Sequence, residues 1–383
     1  MKKADSKDGM NTSPDRDREP LPQEFIMAVA AIALRRLYQQ RLSQNPFATP
    51  GEVVAWLGAV QAQDYLGAKW ALGLRMQNAT DDMIERAFTD GTILRTHVMR
   101  PTWHFVTPAD IRLLLELTAP RVNALNAYTY RQFELDDALF LRSNAVIARA
   151  LEGSKHLTRP ELGSALAQAQ AGIVAEGIRL TFLMMRAELD GIICSGPRRG
   201  KQFTYALLDE RAPQARVLKR DEALAELTRR YYTGHGPATV QDFVWWSGLT
   251  VADVRAGLEM AVSQLSHEVI DDQTYWFSAS KPPAAEPSQV AFLLPTYDEF
   301  LVGFASFDKS RTGGRDTSEH VVFNSPIMIG GRVVGSWRRT FKRGSVVIEL
   351  APFARLTGAE AEAATAAARR YGEFLDMPVV LSN

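Results

Sequence analysis

The stretch TILRTHVMRPTWHFV, residues 92–106, sets two short runs of aliphatic, β-branched and aromatic residues on either side of Met99, Arg100, Pro101 and Thr102. Such runs around a proline-bearing break predict a two-stranded hairpin. Ahead of it the apolar residues recur at helical spacing. EFIMAVAAIALRRLYQQRLS reads as one helix or two, followed by TPGEVVAWLGAVQ, YLGAKWALGLRM and TDDMIERAFTDG. Thr49 before Pro50, and Thr80 or Asp81, stand where helix N-caps belong. Helices closed by a small hairpin within about a hundred residues predict a helix-turn-helix with a wing.

The same order recurs twice downstream. HLTRPELGSALAQA and GIRLTFLMMRAELDG lead into IICSGPRRGKQFTYALL, a hairpin with a Gly/Pro/Arg tip. DEALAELTRRYYTGHG, TVQDFVWWSGL and TVADVRAGLEMAVSQL lead into SHEVIDDQTYWFSAS, which turns near Asp271, Asp272 and Gln273. Thr158, Thr239 and Thr250 take the N-cap positions. Repetition of one helical-plus-hairpin unit predicts a tandem array. The linker KPPAAEPSQ then gives way to strand-like runs, with Gly330-Gly331 as a hairpin turn. An Ala-rich helix over 357–375 ends the chain. The predicted fold is α+β. A disordered tail (1–24) precedes three winged-helix units (25–107, 108–210 and 211–280), and a β-rich C-terminal region with a terminal helix (281–383) follows them.

Bulk properties exclude several classes. Lys+Arg and Asp+Glu both number 44 in 383 residues, so the formal net charge is zero and gives no global pull toward nucleic acid. The single cysteine, Cys194, rules out an internal disulfide framework or a multi-thiolate zinc site, and reads as a small buried hydrophobe. Together with the absence of an apolar signal core, it predicts a cytoplasmic protein. No apolar run reaches the roughly 18 residues that span a bilayer, so no membrane partner is expected.

Charge is nevertheless concentrated locally. Residues 191–220 hold seven basic side chains against two acidic ones, and residues 311–343 hold the same numbers. Basic hairpin tips suit phosphate contacts. The candidate DNA-binding residues are therefore Arg95, His97, Arg100, Thr102 and His104 on the first hairpin, Arg198, Arg199 and Lys201 on the second, and Arg338 and Arg339 in the C-terminal region. His97 and His104 are expected to face each other across their hairpin, but a pair without a third ligand does not make a metal site. G-x-S-x-G, P-loop, G-x-G-x-x-G and H-E-x-x-H motifs are absent. Asp298 and Glu299 fall in an expected strand, where neighbouring side chains point to opposite faces. The structural reading of the two comes first; of the pair, Asp298 is the one that could reach a site.

Gln61, Ala62, Gln63 and Asp64 sit between two apolar runs. Asp64 reads as the N-cap of the next helix. The two glutamines have no such structural reason; around a helix end both amides could point into one groove.

These features together resemble the AlkZ-type winged-helix DNA glycosylases. The residues that carry the likeness are Gln61-Ala62-Gln63, the hairpin LRTHVMRPTWHFV, the segment LLPTYDEFLVGF and IGGRVVGSWRR, over about residues 25–380. In that family a Gln-hydrophobic-Gln motif is catalytic, and a sister subgroup has Asp in place of the second Gln; this chain matches the Gln-x-Gln branch. The resemblance implies catalytic roles for Gln61 and Gln63 in an enzyme acting on double-stranded DNA that contains N7-alkylated purines; some members unhook interstrand crosslinks. If a base is needed, Asp64 is the nearest carboxylate and Asp298 a remoter one. No lysine but Lys69, six residues on, stands near the motif, so a monofunctional enzyme without a Schiff-base step is expected, and no cofactor. A monomer is expected. The alternative is a non-catalytic winged-helix DNA-binding or regulatory protein, in which the glutamines contact phosphate or bases.

Overall fold

The computed structural model describes residues 23–43, 46–169, 176–278, 290–305 and 325–382. The expected tail up to residue 22, the linker 281–289, and the loop 307–320 with Arg311 and Arg315 lie outside them.

After a single helix α1 (Gln23–Gln39), the first unit runs α2 (Pro50–Leu57), β1 (Val60–Gln61), α3 (Tyr65–Gly73), α4 (Asp81–Asp90), β2 (Leu94–Val98) and β3 (Arg100–Val106). Its three strands lie in the order β1-β3-β2. The second unit repeats the pattern after a long helix, α5 (Ile111–Gln132). It consists of α6 (Asp137–Leu151), β4 (Leu157–Thr158), α7 (Arg159–Gln168), α8 (Gly177–Leu189), β5 (Ile193–Ser195) and β6 (Thr204–Leu207), with strand order β4-β6-β5. A short α9 (Leu208–Arg211) leads to the third unit: α10 (Arg220–Gly234), α11 (Val240–Ser247), α12 (Val251–Ala261), β7 (Leu265–Ile270) and β8 (Gln273–Ser278). There the short first strand is reduced to one bridge, Ala238 to Trp276.

Local chemistry sets the ends of these elements. Thr49, Thr158, Thr239 and Thr250 each close a capping box with the acidic residue three positions on, and Thr80 caps α4 through the Met83 amide. The third hairpin turns on Asp271 and Asp272, both with positive φ. The first hairpin turns on Met99 alone, with φ of 66°, so Arg100 and Thr102 stand on β3 rather than in the turn. Pro101 is tolerated there because it falls at the register irregularity between the His97–Trp103 and Val98–Arg100 pairs, where it has no cross-strand partner.

The C-terminal region contributes β9 (Ala291–Leu293), α13 (Glu299–Val302), β10 (Pro326–Ile329), β11 (Arg332–Lys342), β12 (Ser345–Pro352), α14 (Gly358–Leu375) and β13 (Val379–Ser382). The five strands order as β13-β12-β11-β10-β9. The predicted Gly330-Gly331 turn joins β10 to β11. Two expectations change. The chain continues past its last helix into β13, which pairs in parallel with β12. Asp298 and Glu299 begin a short helix instead of lying in a strand, with Asp298 accepting a hydrogen bond from the Phe300 amide.

Packing joins what the sequence separates. One core contains α2–α4 of the first unit and the C-terminal sheet with α14, including Trp70, Trp337, Tyr371 and Phe374. The Trp70 and Trp337 indoles donate to the carbonyls of Leu293 and Leu294. A second core joins residues of the first hairpin and the first half of α5 to the third unit. Among the described residues no helix is long and apolar enough to cross a membrane.

Candidate active site

The Gln61-Ala62-Gln63 motif runs from the end of β1, which holds Gln61, through a bend to the start of α3, where Gln63 directly precedes the N-cap position. Val60 pairs with Phe105 and Gln61 with His104, and the Ala62 amide donates to the Trp103 carbonyl at 2.7 Å. Val60 and Ala62 enter the first core, Gln61 is buried between Arg100 and Glu299, and Gln63 is exposed. Ala62 is fully buried, which explains an apolar residue between two amides.

Gln61 is held from two sides. Its Oε1 accepts from Arg100 Nη2 at 2.8 Å. A guanidinium only donates, so this contact settles the amide's orientation and turns Nε2 away as a donor. Its backbone N–H, on the free edge of β1, donates to Glu299 Oε1 at 2.8 Å. Gln63 is exposed, and its Oε1 accepts from the Trp103 amide at a long 3.4 Å. One glutamine is thus fixed and the other is free to turn.

Of the two adjacent carboxylates it is Glu299, not Asp298, that reaches Gln61. Asp298 is fully buried in a two-point ion pair with Arg75, at 2.9 and 2.8 Å. Glu299, also fully buried, faces Gln61 and accepts from Trp246 Nε1 at 2.9 Å, with His235 Nε2 at 3.3 Å. Burial pushes its carboxyl upward, but the hydrogen bond and charge of His235 and the Gln61 amide outweigh burial and leave it below the ordinary value. A lowered folded value means that Glu299 adds stability above the ordinary carboxylate pKa of 4.5 and loses it as pH falls toward the folded value. The melting-temperature gap between wild type and Glu299→Gln should therefore be widest above that pH and narrow on acidification. A gap that widens in acid would contradict the ionised pairing.

His104 stands directly across from Gln61. Its Nδ1 lies 3.0 Å from the Thr102 carbonyl, and its Nε2 has no hydrogen-bond partner. Burial, with Arg100 adding to it, pushes the imidazole down to about 3, so it is neutral. His97 pairs with Trp103 while His104 pairs with Thr96. The two histidines therefore lie on opposite faces of the sheet, and the expectation that they face each other is wrong.

Several expected DNA contacts are also corrected. Arg95, His97 and His104 are buried. Arg95 Nε donates to the Ala62 carbonyl, with its guanidinium over the Trp103 and Phe203 rings. His97 pairs with Glu188. A residue enclosed this way cannot reach a phosphate. Arg100 is taken up by Gln61 and by the Trp245 carbonyl at 3.4 Å. The Thr102 hydroxyl is buried without a hydrogen-bond partner. Arg198 binds Glu85 against Tyr65 and Phe203, joining the first two units. Arg199 is exposed but pairs with Glu161 at 2.7 Å, and Lys201 is exposed. Arg338 is exposed opposite Glu349 on β12.

Asp64 occupies the N-cap position of α3 but makes no side-chain cap, contrary to expectation. Its carboxylate turns to Arg339 Nη2 at 3.4 Å, which brings the C-terminal sheet beside Gln63. Cys194 is buried, as expected, and burial pushes its thiol up to about 12.

This arrangement is a hydrogen-bonding site built for polar positioning, with its carboxylates tied down. The family described as DNA glycosylase AlkZ-like matches residues 54–374. The chain is 25% identical over 321 residues to the Interstrand DNA cross-link repair glycosylase of Streptomyces sahachiroi, covering 79% of this chain and 85% of that protein. Its fold is similar to the solved structure of Streptomyces sahachiroi DNA glycosylase AlkZ, with a TM-score of 0.77 at 22% identity over 92% of this chain and 99% of that one. With most of its length matched by the family, the chain belongs to the AlkZ-like DNA glycosylase family.

Proposed function

We propose that this protein is a monofunctional DNA glycosylase that hydrolyses the N-glycosidic bond of cationic N7-alkylpurines in duplex DNA. The observation that carries the reading is the pair of amides at Gln61 and Gln63, one locked by Arg100 and the other exposed and held only by a long bond from the Trp103 amide. Each helix–strand–helix–helix–hairpin repeat is read as a winged-helix unit, with Lys201 and Arg338 as phosphate contacts. The Streptomyces relative's role in crosslink repair extends the proposed lesions to interstrand crosslinks.

An N7-alkylpurine carries its positive charge before the reaction begins. When the C1′–N9 bond breaks, the bonding electrons neutralise the departing base, so no enzyme acid is required. The sugar becomes oxocarbenium-like, a water oxygen adds at C1′, and its proton passes to solvent. Gln61 Nε2 donates to that water, and Gln63 can release the Trp103 amide to accept from it. Lys69 is buried in ion pairs with Asp81 at 2.7 Å and Glu85 at 2.9 Å, so it is not available for a Schiff-base step. An intact strand with an abasic site is the expected product.

The direct test incubates the protein with duplex DNA carrying N7-methylguanine and assays free base and abasic sites. Tight binding with no base release would favour the regulatory alternative. Asp64→Asn tests whether a carboxylate base is needed. Its rate should fall by less than about tenfold, short of the roughly 10²–10⁴ that follows loss of a general base. A loss in that larger range would make Asp64 the base.

A further inference from the structure

We propose that Trp245 recognises the positive charge of the lesion: its exposed indole takes the cationic purine ring in a cation–π stack beside Gln61. The inference rests on the glycosylase reading in that the lesion must come to Gln61.

The seven tryptophans of the chain all fall among the described residues, and Trp245, at 51% exposed, is the most exposed of them. Its neighbour Trp246 is fully buried and serves Glu299. An exposed tryptophan is ordinary in isolation. This one is tied to the catalytic pair. Its carbonyl accepts from Arg100 Nη1 at 3.4 Å, and Arg100 holds Gln61 Oε1 at 2.8 Å. The Arg100 guanidinium carbon lies 5.7 Å from the indole centroid. The ring is also held in place, because Nε1 donates to the Val302 carbonyl at 3.1 Å. A fixed, half-exposed aromatic surface loses little freedom on binding.

The chemistry matches the substrate class. A neutral purine stacks on indole by dispersion and area, whereas a cationic purine is also drawn to the negative face of the ring. Arg100 would repel such a base, but the buried Glu299 carboxylate acts on Arg100 and offsets its charge. The ring would thus select charged lesions at binding, and the amides would act on them.

The test uses equilibrium binding to duplexes carrying either N7-methyl-2′-fluoroguanosine, whose glycosidic bond resists cleavage, or plain guanosine. Wild type should prefer the cationic duplex. Trp245→Phe and Trp245→Leu both lose the Val302 contact, so their comparison tests the aromatic face without the indole N–H, and the cationic-over-neutral ratio cancels their difference in contact area to first order. Phe should keep most of the preference, and Leu should lose about tenfold of it. Equal preference in Phe and Leu, or none in wild type, overturns the proposal. Excision of N7-methylguanine by wild type is measured separately. Loss of excision with the Phe–Leu difference intact would sink the glycosylase reading and leave charge recognition standing.

Discussion

Gln63→Ala should lower single-turnover excision of N7-methylguanine by on the order of 10²–10⁴-fold, with little change in DNA affinity or melting temperature. The side chain is exposed and makes one long hydrogen bond, so its loss costs the fold little. Its catalytic value comes from mobility. Gln61 is committed through Oε1 to Arg100 and can only donate to a water from Nε2. Gln63 is the amide that can still offer an acceptor. Gln61→Ala should also slow excision, but it removes a partner from half-buried Arg100 and so carries a larger stability cost. Rates and melting curves for the two variants separate the roles. Wild-type excision by Gln63→Ala would remove the motif from the mechanism.

The largest expected loss of stability comes from Asp298→Ala, at about 3–5 kcal/mol. Arg75 and Asp298 are both fully buried and meet in a two-point contact. Arg75 also donates to the Ala71 carbonyl at 2.9 Å and to Gln40 Oε1 at 2.7 Å. Removing the carboxylate leaves a guanidinium charge in the core without its counter-ion. Replacing both partners, as Arg75→Met with Asp298→Leu, should cost less than the single change, because the unpaired charge goes with its partner. Urea unfolding of both variants makes the comparison. A single change as mild as a surface substitution would contradict the buried pairing and return Asp298 to candidacy for a direct catalytic role.

The sequence by itself determined the features that depend on neighbours a few residues away. Thr49, Thr158, Thr239 and Thr250 are caps because a hydroxyl and an acidic side chain three residues on satisfy each other's amides. The Asp271-Asp272 and Gly330-Gly331 turns follow from residues that tolerate positive φ. The repeated order of helices and hairpins, and the Gln-x-Gln motif, were legible for the same reason. Tertiary structure decided everything that required a distant partner. A two-residue strand such as β1 exists only because β3, some forty residues later, supplies its hydrogen bonds, so the strand position of Gln61 was not legible, while the place of Gln63 just before the α3 N-cap position was. Asp298 and Glu299 are chemically alike and adjacent. Which one serves Gln61 was decided by where Arg75 and His235 lie once the chain has folded. Arg95, His97 and His104 carry polar labels that suggest a surface, yet the fold buries all three, Arg95 against Phe203, His97 against Glu188 and His104 across from Gln61. Trp245 and Trp246 differ in sequence by one position, and only packing against Glu299 assigns one to the interior and leaves the other beside the site. Burial is a property of surfaces brought together from opposite ends of the chain, and single-residue chemistry does not record which surfaces will meet.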